Sequence, residues 1–191
     1  DTDRSRGLGD VYKRQDMLNA DITQTTDSPS WGGLYLQYFE KFDQVQQQKG
    51  ILSVTKKLFI EKIGSDGKQE LLPLGKEKLK TGDKVITRLT LSLKQDMDFL
   101  YLKDFRAACF EPIGQLSGNQ WKFGTVYYEE SKDAVTNFFF NSLAKGTYVL
   151  EYPVWVNQAG TYQDGIATFQ SMYAPESVSY THLRAHETDQ Y

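Results

Sequence analysis

Two segments of this sequence alternate apolar and polar side chains, and this alternation constrains the fold more than any other feature. In Val85–Leu93 the odd-numbered positions are apolar apart from Thr87, and in Thr147–Val156 the even-numbered positions are apolar. Successive side chains of a β-strand point to opposite faces, so each segment predicts a strand with one buried face. Pro153 has no N–H to donate to a neighbouring strand, and we therefore expect an edge position or a bulge there.

Further segments have the composition of strands and are separated by turn-forming residues such as Asp66-Gly67, a hairpin signal. Aromatic residues make up 14% of the chain, which also favours pleated sheets. We therefore predict an all-β fold, a two-layer antiparallel β-sandwich. Leu71–Leu79 has room for one helical turn, and a helix is the alternative to a strand near residue 35. The further strand candidates are Leu34–Phe42, Ile51–Ile63, Phe99–Lys103, Thr125–Glu130, Thr136–Phe140 and Gly165–Tyr173.

The composition offers little material for catalysis or for binding a cofactor. The only histidines are His182 and His186, close to the C-terminus, and the single cysteine is Cys109. A formal charge of −3 gives no overall attraction to nucleic acid, and no run approaches the roughly 20 apolar residues of a membrane helix. We therefore predict a protein that is not an enzyme and has no metal or cofactor site.

The two ends of the chain differ from its body. Residues 1–15 and 178–191 are polar, mixed in charge and without periodicity. Both strings resemble translated library-adapter sequence found at the edges of assembled environmental reads, and ordinary terminal tails are the alternative. We expect a fragment whose native part runs from Asp16 to Ser177, and we leave both ends out of the fold prediction.

The native part resembles the C-terminal end of bacterial α2-macroglobulins. The resemblance covers nearly all of it, in order, from WGGLYLQYFEKFD at 31–43 through DFLYLKDFRAACFEPI at 98–113 to GIATFQSMYAPE at 165–176. It implies that residues 16–45 end the domain flanking the thioester domain. Residues 46–177 then form the terminal macroglobulin-like β-sandwich, similar to the receptor-binding domain of animal macroglobulins.

The resemblance also implies a function. The family traps proteases through a bait region and a Cys–Gln thioester, but Cys109 does not match the family's Cys-x-Glu-Gln motif, so we expect it to be a buried hydrophobic residue. The expected partners are the thioester domain of the same full-length chain and, through the whole protein, target proteases. The expected location is the periplasm or cell envelope, with any lipid anchor upstream of this fragment.

In this family the terminal domain is thought to present a tyrosine that keeps water from the thioester. Tyr173, at the end of the last predicted strand, is our first candidate, and Tyr162 is the second. A strand-end tyrosine that merely caps the sandwich is the alternative for Tyr173.

Two other functional hypotheses start from clusters of one residue type. A carbohydrate-binding sandwich would use exposed, coplanar indoles as a stacking platform, from Trp31, Trp121 and Trp155. A calcium site would need oxygen ligands arranged in a loop. We expect the four carboxylates near residue 100 to be solvated turn residues instead, namely Asp96, Asp98, Asp104 and Glu111.

Overall fold

A computed structural model of the chain describes residues 50–64, 67–75, 78–114, 116–174 and 177–181, the backbone of 186–189, and Pro29. All of these except Pro29 belong to one compact unit. Their regular structure consists of strands, and none of it forms a helix that could cross a membrane. The strands are β1 (Leu52–Ile63), β2 (Gln69–Pro73), β3 (Leu79–Lys80), β4 (Lys84–Leu93), β5 (Met97–Phe105), β6 (Phe110–Pro112), β7 (Gly118–Lys122), β8 (Thr125–Ser131), β9 (Val135–Leu143), β10 (Gly146–Val156), β11 (Gly160–Tyr162), β12 (Ala167–Ser171), β13 (Val178–Thr181) and β14 (His186–Asp189).

Two antiparallel sheets form the sandwich. The five-stranded sheet has the order β2-β1-β4-β10-β6, and the six-stranded sheet has the order β13-β12-β5-β9-β8-β7. A small third sheet has the order β11-β14-β3, with β14 and β3 parallel. The main sheets share one hydrophobic core, in which the ring of Phe138 on β9 lies 6.3 Å from that of Tyr152 on β10. The predicted two-layer antiparallel β-sandwich is confirmed.

The predicted strand faces are also confirmed. On β4 the residues Val85, Leu89 and Leu91 are fully buried, and on β10 the inward positions Leu150 and Val154 are buried in the same core. The β1, β8, β9 and β12 strands lie within a few residues of their predicted bounds. Alternation therefore identified the core-facing side of the long strands without knowledge of their partners.

Pro153 lies where β10 is nearly an edge strand. The three residues of β6 pair only with Val154–Val156, so the outer side of β10 has no paired strand before that point. The Ile113 N–H donates to the Pro153 carbonyl oxygen at 3.1 Å. Since the N and C=O of one strand residue point to the same side, the missing N–H of Pro153 faces this outer side. The pairing of Pro153 with Ile86 on β4 therefore loses no hydrogen bond.

The sequence-based prediction was wrong where segments are short or fully exposed. The segment Leu71–Leu79, which has room for one helical turn, forms none in its described residues, because Gln69–Pro73 instead forms β2 and pairs with β1. Every β2 side chain is exposed, so the sequence there carries no alternation signal. Gly118–Lys122 forms β7, a strand that none of the sequence-based strand candidates covers.

The C-terminal side also differs from expectation. We left 178–191 out of the fold, whereas Val178–Thr181 forms β13 and pairs with β12, and Ser179 is buried. The Ser179 hydroxyl accepts a hydrogen bond from the Val54 N–H on β1 at 3.2 Å. Backbone pairing at a sheet edge needs no sequence pattern, which is why the polar composition did not reveal this strand. The predictions for 1–15 and for Leu34–Phe42 lie outside the described residues.

Candidate functional site

Three aromatic side chains form a ladder on the outer face of the six-stranded sheet. Phe139 on β9 is paired with Tyr101 on β5 and with Tyr128 on β8. The Tyr101 and Phe139 rings are stacked with centroids 4.9 Å apart, and Tyr128 lies 6.3 Å from Phe139 on the other side. Aromatic cross-strand pairs of this kind stabilise a sheet. Here they also leave apolar surface on the side facing away from the core.

Polar neighbours hold the ladder in a fixed orientation. The Tyr101 hydroxyl donates to Asn137 Oδ1 at 2.8 Å, and Asn137 Nδ2 donates to Glu130 Oε2 at 2.8 Å. Partial burial, with the field of Glu130, raises the pKa of Tyr101, while the hydrogen bond from Asn137 lowers the pKa of Glu130. Tyr101 therefore stays neutral over the physiological range.

Tyr173 lies beyond the end of β12 and contacts a second exposed ring, that of Phe99 on β5. Its ring meets the Phe99 ring edge-on, with centroids 5.0 Å apart, and the two side chains are 78% and 48% exposed. The Met172 N–H donates to the Phe99 carbonyl oxygen at 2.9 Å, which ties this segment to β5. Phe99 precedes Tyr101 by two residues on the same strand. We call the surface formed by Phe99, Tyr101, Tyr128, Phe139 and Tyr173 the aromatic face.

The second tyrosine candidate has a different environment. Tyr162 on β11 is half-buried, packs against the core, and its ring lies over Gly160. Its hydroxyl donates to the Ala159 carbonyl oxygen at 3.2 Å and approaches Gln158 Oε1 at 3.4 Å. The Tyr162 hydroxyl is thus engaged by its own loop, whereas the Tyr173 side chain projects from the fold.

The two described tryptophans do not form a shared platform. Trp121 is 72% exposed on β7 of the six-stranded sheet, and Trp155 is 44% exposed on β10 of the five-stranded sheet. No ring contact joins them among the described aromatic pairs, and Trp31 lies outside the described residues. Their exposure alone does not meet the coplanar arrangement that a carbohydrate-stacking surface needs.

Cys109 is buried in the hydrophobic core as expected. Burial raises the pKa of its thiol to about 11, which keeps the sulfur protonated at neutral pH. The thiolate is the nucleophilic form of cysteine, so this residue is chemically inert.

Asp104 corrects the expectation that the nearby carboxylates are solvated. Asp98 and Glu111 are exposed, but Asp104 is fully buried on β5, and its Oδ1 lies 2.8 Å from Lys56 Nζ. Both residues occupy inward positions of alternating strands, where a charge needs a partner. The alternation of β1, read through Val54, Lys56 and Leu58, contained this signal, and so did the sequence Leu100, Leu102, Asp104.

Comparison with known proteins shows which protein family this chain resembles. The sequence profile of the bacterial alpha-2-macroglobulin MG10 domain matches residues 52–176. A direct comparison with curated protein sequences gives no match.

Solved structures share the fold at low identity. Salmonella alpha-2-macroglobulin reacted with methylamine superposes with a TM-score of 0.57 and 17% identity, over 75% of this chain and 10% of that one. Native Escherichia coli alpha-2-macroglobulin spanning domain MG7 to the C-terminus superposes with a TM-score of 0.57 and 18% identity, over 74% of this chain and 24% of that one. Escherichia coli alpha-2-macroglobulin activated by porcine elastase superposes with a TM-score of 0.59 and 18% identity, over 75% of this chain and 14% of that one. The chain thus spans a quarter or less of these proteins, and by its profile match it belongs to the bacterial alpha-2-macroglobulin MG10 domain family.

Proposed function

We propose that this chain is the non-catalytic C-terminal domain of a bacterial alpha-2-macroglobulin-like endopeptidase trap, and that it docks on the thioester domain of the same full-length chain. The aromatic face is the observation that carries this proposal. A cluster of partly exposed rings on the outer side of a sheet is typical of an interaction surface. Tyrosine and phenylalanine are enriched at protein interfaces because they bury much area with little loss of conformational freedom.

Within this proposal Tyr173 shields the thioester. A thioester is lost when water reaches it, and an aromatic ring excludes water while its hydroxyl remains available for a hydrogen bond. The Tyr173 ring is supported from one side by Phe99 and is otherwise exposed, so it is free to contact a second domain. The engaged hydroxyl of Tyr162 makes that residue the weaker candidate.

The remaining assignments follow from membership in the family and belong to the whole parent protein. The domain supplies no group for the covalent capture of a protease, and target proteases are captured through the full-length protein. The parent acts in the periplasm or at the cell envelope.

The shielding role is tested in the full-length parent carrying an intact thioester. Release of the free thiol is followed over time with a thiol-reactive dye. Tyr173→Gly should accelerate the release strongly, and Tyr162→Phe, the matched control, should leave the rate unchanged. An unchanged rate for Tyr173→Gly, or acceleration by Tyr162→Phe alone, would reject Tyr173 as the shield.

The docking surface is tested separately with the thioester domain and this domain mixed in solution. Tyr128→Lys places a charge on the aromatic face, whereas Trp155→Lys places the same charge on the outer face of the other sheet, at a residue of similar exposure. We expect only Tyr128→Lys to weaken the complex. Weakening by Trp155→Lys alone would place the interface on the five-stranded sheet.

A further inference from the structure

A lysine and two aspartates converge in the interior of the sandwich. Lys56 Nζ lies 2.8 Å from Asp104 Oδ1 and 3.0 Å from both Asp164 Oδ1 and Asp164 Oδ2. The side chains of all three residues are at most 1% exposed. Nζ also donates to the Phe105 carbonyl oxygen at 2.7 Å. A primary amine and two carboxyl groups are thus held together without access to bulk water.

The fold brings these groups together from three separate elements. Lys56 is at an inward position of β1, Asp104 at an inward position of β5, and Asp164 in the link between β11 and β12. Gly165 allows that link to approach β5, because a Cβ at this position would lie 2.3 Å from the Phe105 Cβ. The Gly165 N–H donates to Asp164 Oδ1 at 2.9 Å, which polarises the carboxyl group.

We propose that Lys56 and Asp164 condense to an intramolecular isopeptide bond, with Asp104 as the proton carrier. Nζ is equally distant, at 3.0 Å, from the two oxygens of Asp164, so it is centred on the carboxyl group rather than on one oxygen. The equal distances correspond to a separation of roughly 3–3.5 Å between Nζ and Cγ, which is the range of reacting atoms before bond formation. Apart from their ion pairs with this ammonium group, Asp164 Oδ2 and Asp104 Oδ1 accept no hydrogen bond within the described residues.

The reaction balances without an oxidant, reductant or other reagent. Lys56 Nζ transfers a proton to Asp104, and the neutral amine attacks Cγ of Asp164 to form the C–N bond. Of the three ammonium protons, two pass through Asp104 to Oδ2, which leaves as water, and one remains on the amide nitrogen. Asp104 ends in its starting state. The Gly165 N–H stabilises the negative charge that develops on Oδ1 in the tetrahedral intermediate.

Burial favours this condensation over the ion pair. Burial lowers the pKa of Lys56, although the fields of Asp104 and Asp164 outweigh it and leave the pKa raised. Burial also raises the pKa of Asp104, which makes that carboxyl able to hold a proton. The amide product removes one positive and one negative charge from a low-dielectric interior, where ions are costly to keep. The Tyr152 hydroxyl donates to Asp104 Oδ2 and keeps the carboxyl oriented.

The bond would tie the first strand of the sandwich to the segment before β12. Lys56 and Asp164 are 108 residues apart in sequence, so the cross-link would close most of the domain into one covalent ring. A cross-link over a long loop restricts the unfolded chain and raises resistance to unfolding. This inference stands on the buried cluster and is independent of the proposed docking function.

The proposal is tested directly by mass spectrometry of the chain after it has been expressed in folded form, purified and then denatured. The expected mass is lower than the sequence mass by one water molecule. After tryptic digestion, the peptide of residues 50–57, uncut at Lys56, should be joined to the peptide of residues 146–184. A wild-type chain with the full sequence mass overturns the proposal, and so does a water loss mapped to the peptide that contains Asp104 instead of Asp164.

Variants assign the roles. Lys56→Gln and Asp164→Ala should restore the full mass because each removes one reacting group. Asp104→Asn should do the same, or slow the water loss many-fold, while leaving both reacting groups present. Lys57→Gln, a change at the neighbouring exposed lysine, should keep the water loss. Retention of the lighter mass in Lys56→Gln or Asp164→Ala would contradict the assignment of the reacting groups. If these variants do not fold, the mass of the wild-type chain alone tests whether the bond forms.

Discussion

Phe99 and Tyr173 meet edge to face, with their ring centroids 5.0 Å apart and their planes at 83°. Phe99 achieves this with φ at 52°, in the left-handed region that bulky residues avoid. Unusual backbone conformations of this kind persist where the surrounding structure enforces them, and they are frequent at functional positions. The strained residue of β5 is thus the one that supports our candidate shielding tyrosine.

Substitutions of Phe99 should separate the ring from the backbone. Phe99→Ala and Phe99→Gly both remove the ring, but only glycine adopts a positive φ freely. We therefore expect Phe99→Gly to be more stable than Phe99→Ala by about 1 kcal/mol, which is the usual penalty of the left-handed conformation. Urea unfolding of the two variants measures the difference. A more stable alanine variant would show that this φ is not maintained in solution.

The core prediction concerns the inward positions of the five-stranded sheet. Leu89 and Leu150 are paired across β4 and β10, with 0% and 2% of their surface exposed. Replacing either by alanine should lower the free energy of unfolding by about 2–5 kcal/mol, because a cavity remains in a packed interior. Val149→Ala, at a neighbouring outward position, is the control and should have a much smaller effect. Losses near zero for both leucines would mean that the strand faces are inverted.

Gly165 should tolerate no side chain. A Cβ would lie 2.3 Å from Phe105 Cβ and 2.6 Å from the Phe105 carbonyl oxygen, and neither atom can move without shifting β5. We expect Gly165→Ala to destabilise the fold by about 1–3 kcal/mol, as overpacking usually does. Gly118→Ala, where a Cβ meets nothing within 4 Å, is the matched control for thermal unfolding. Equal melting temperatures for the two variants would contradict the close approach of the Asp164 link to β5.

Stability should fall at alkaline pH. Burial raises the pKa of Cys109 from 9.0 to about 11 and raises the pKa of Tyr152 well above 10.0. In this range the folded protein binds more protons than the unfolded chain, so stability is fully present below the unfolded pKa values and is lost as pH rises through the folded ones. Neither group takes part in the proposed isopeptide bond.

Urea midpoints measured from below pH 9.0 to above about 11 check this expectation. Cys109→Ala should remove part of the decrease of the urea midpoint with pH and leave the part that is due to Tyr152. A midpoint that stays constant or rises across this range would be incompatible with a buried, protonated thiol and phenol.

Much of the sandwich was determined by the sequence alone. Alternation is a local property, because side-chain direction in a strand depends only on position along that strand. The inward positions of β4 and β10 could therefore be assigned correctly, and Lys56 already stands in the inward phase of β1. The exposed β2 and the edge strand β13 have no such pattern, so they could not be found in this way.

Only the tertiary structure decided which side chains meet. Phe99 and Tyr173 come together because β5 and β12 are neighbours in one sheet, and Tyr101 stacks on Phe139 because β9 lies on the other side of β5. Lys56 reaches its two aspartates only when the two sheets pack face to face, over 108 residues of chain in the case of Asp164. Strand order and sheet packing depend on the whole chain minimising its exposed apolar surface, and no local pattern encodes that result.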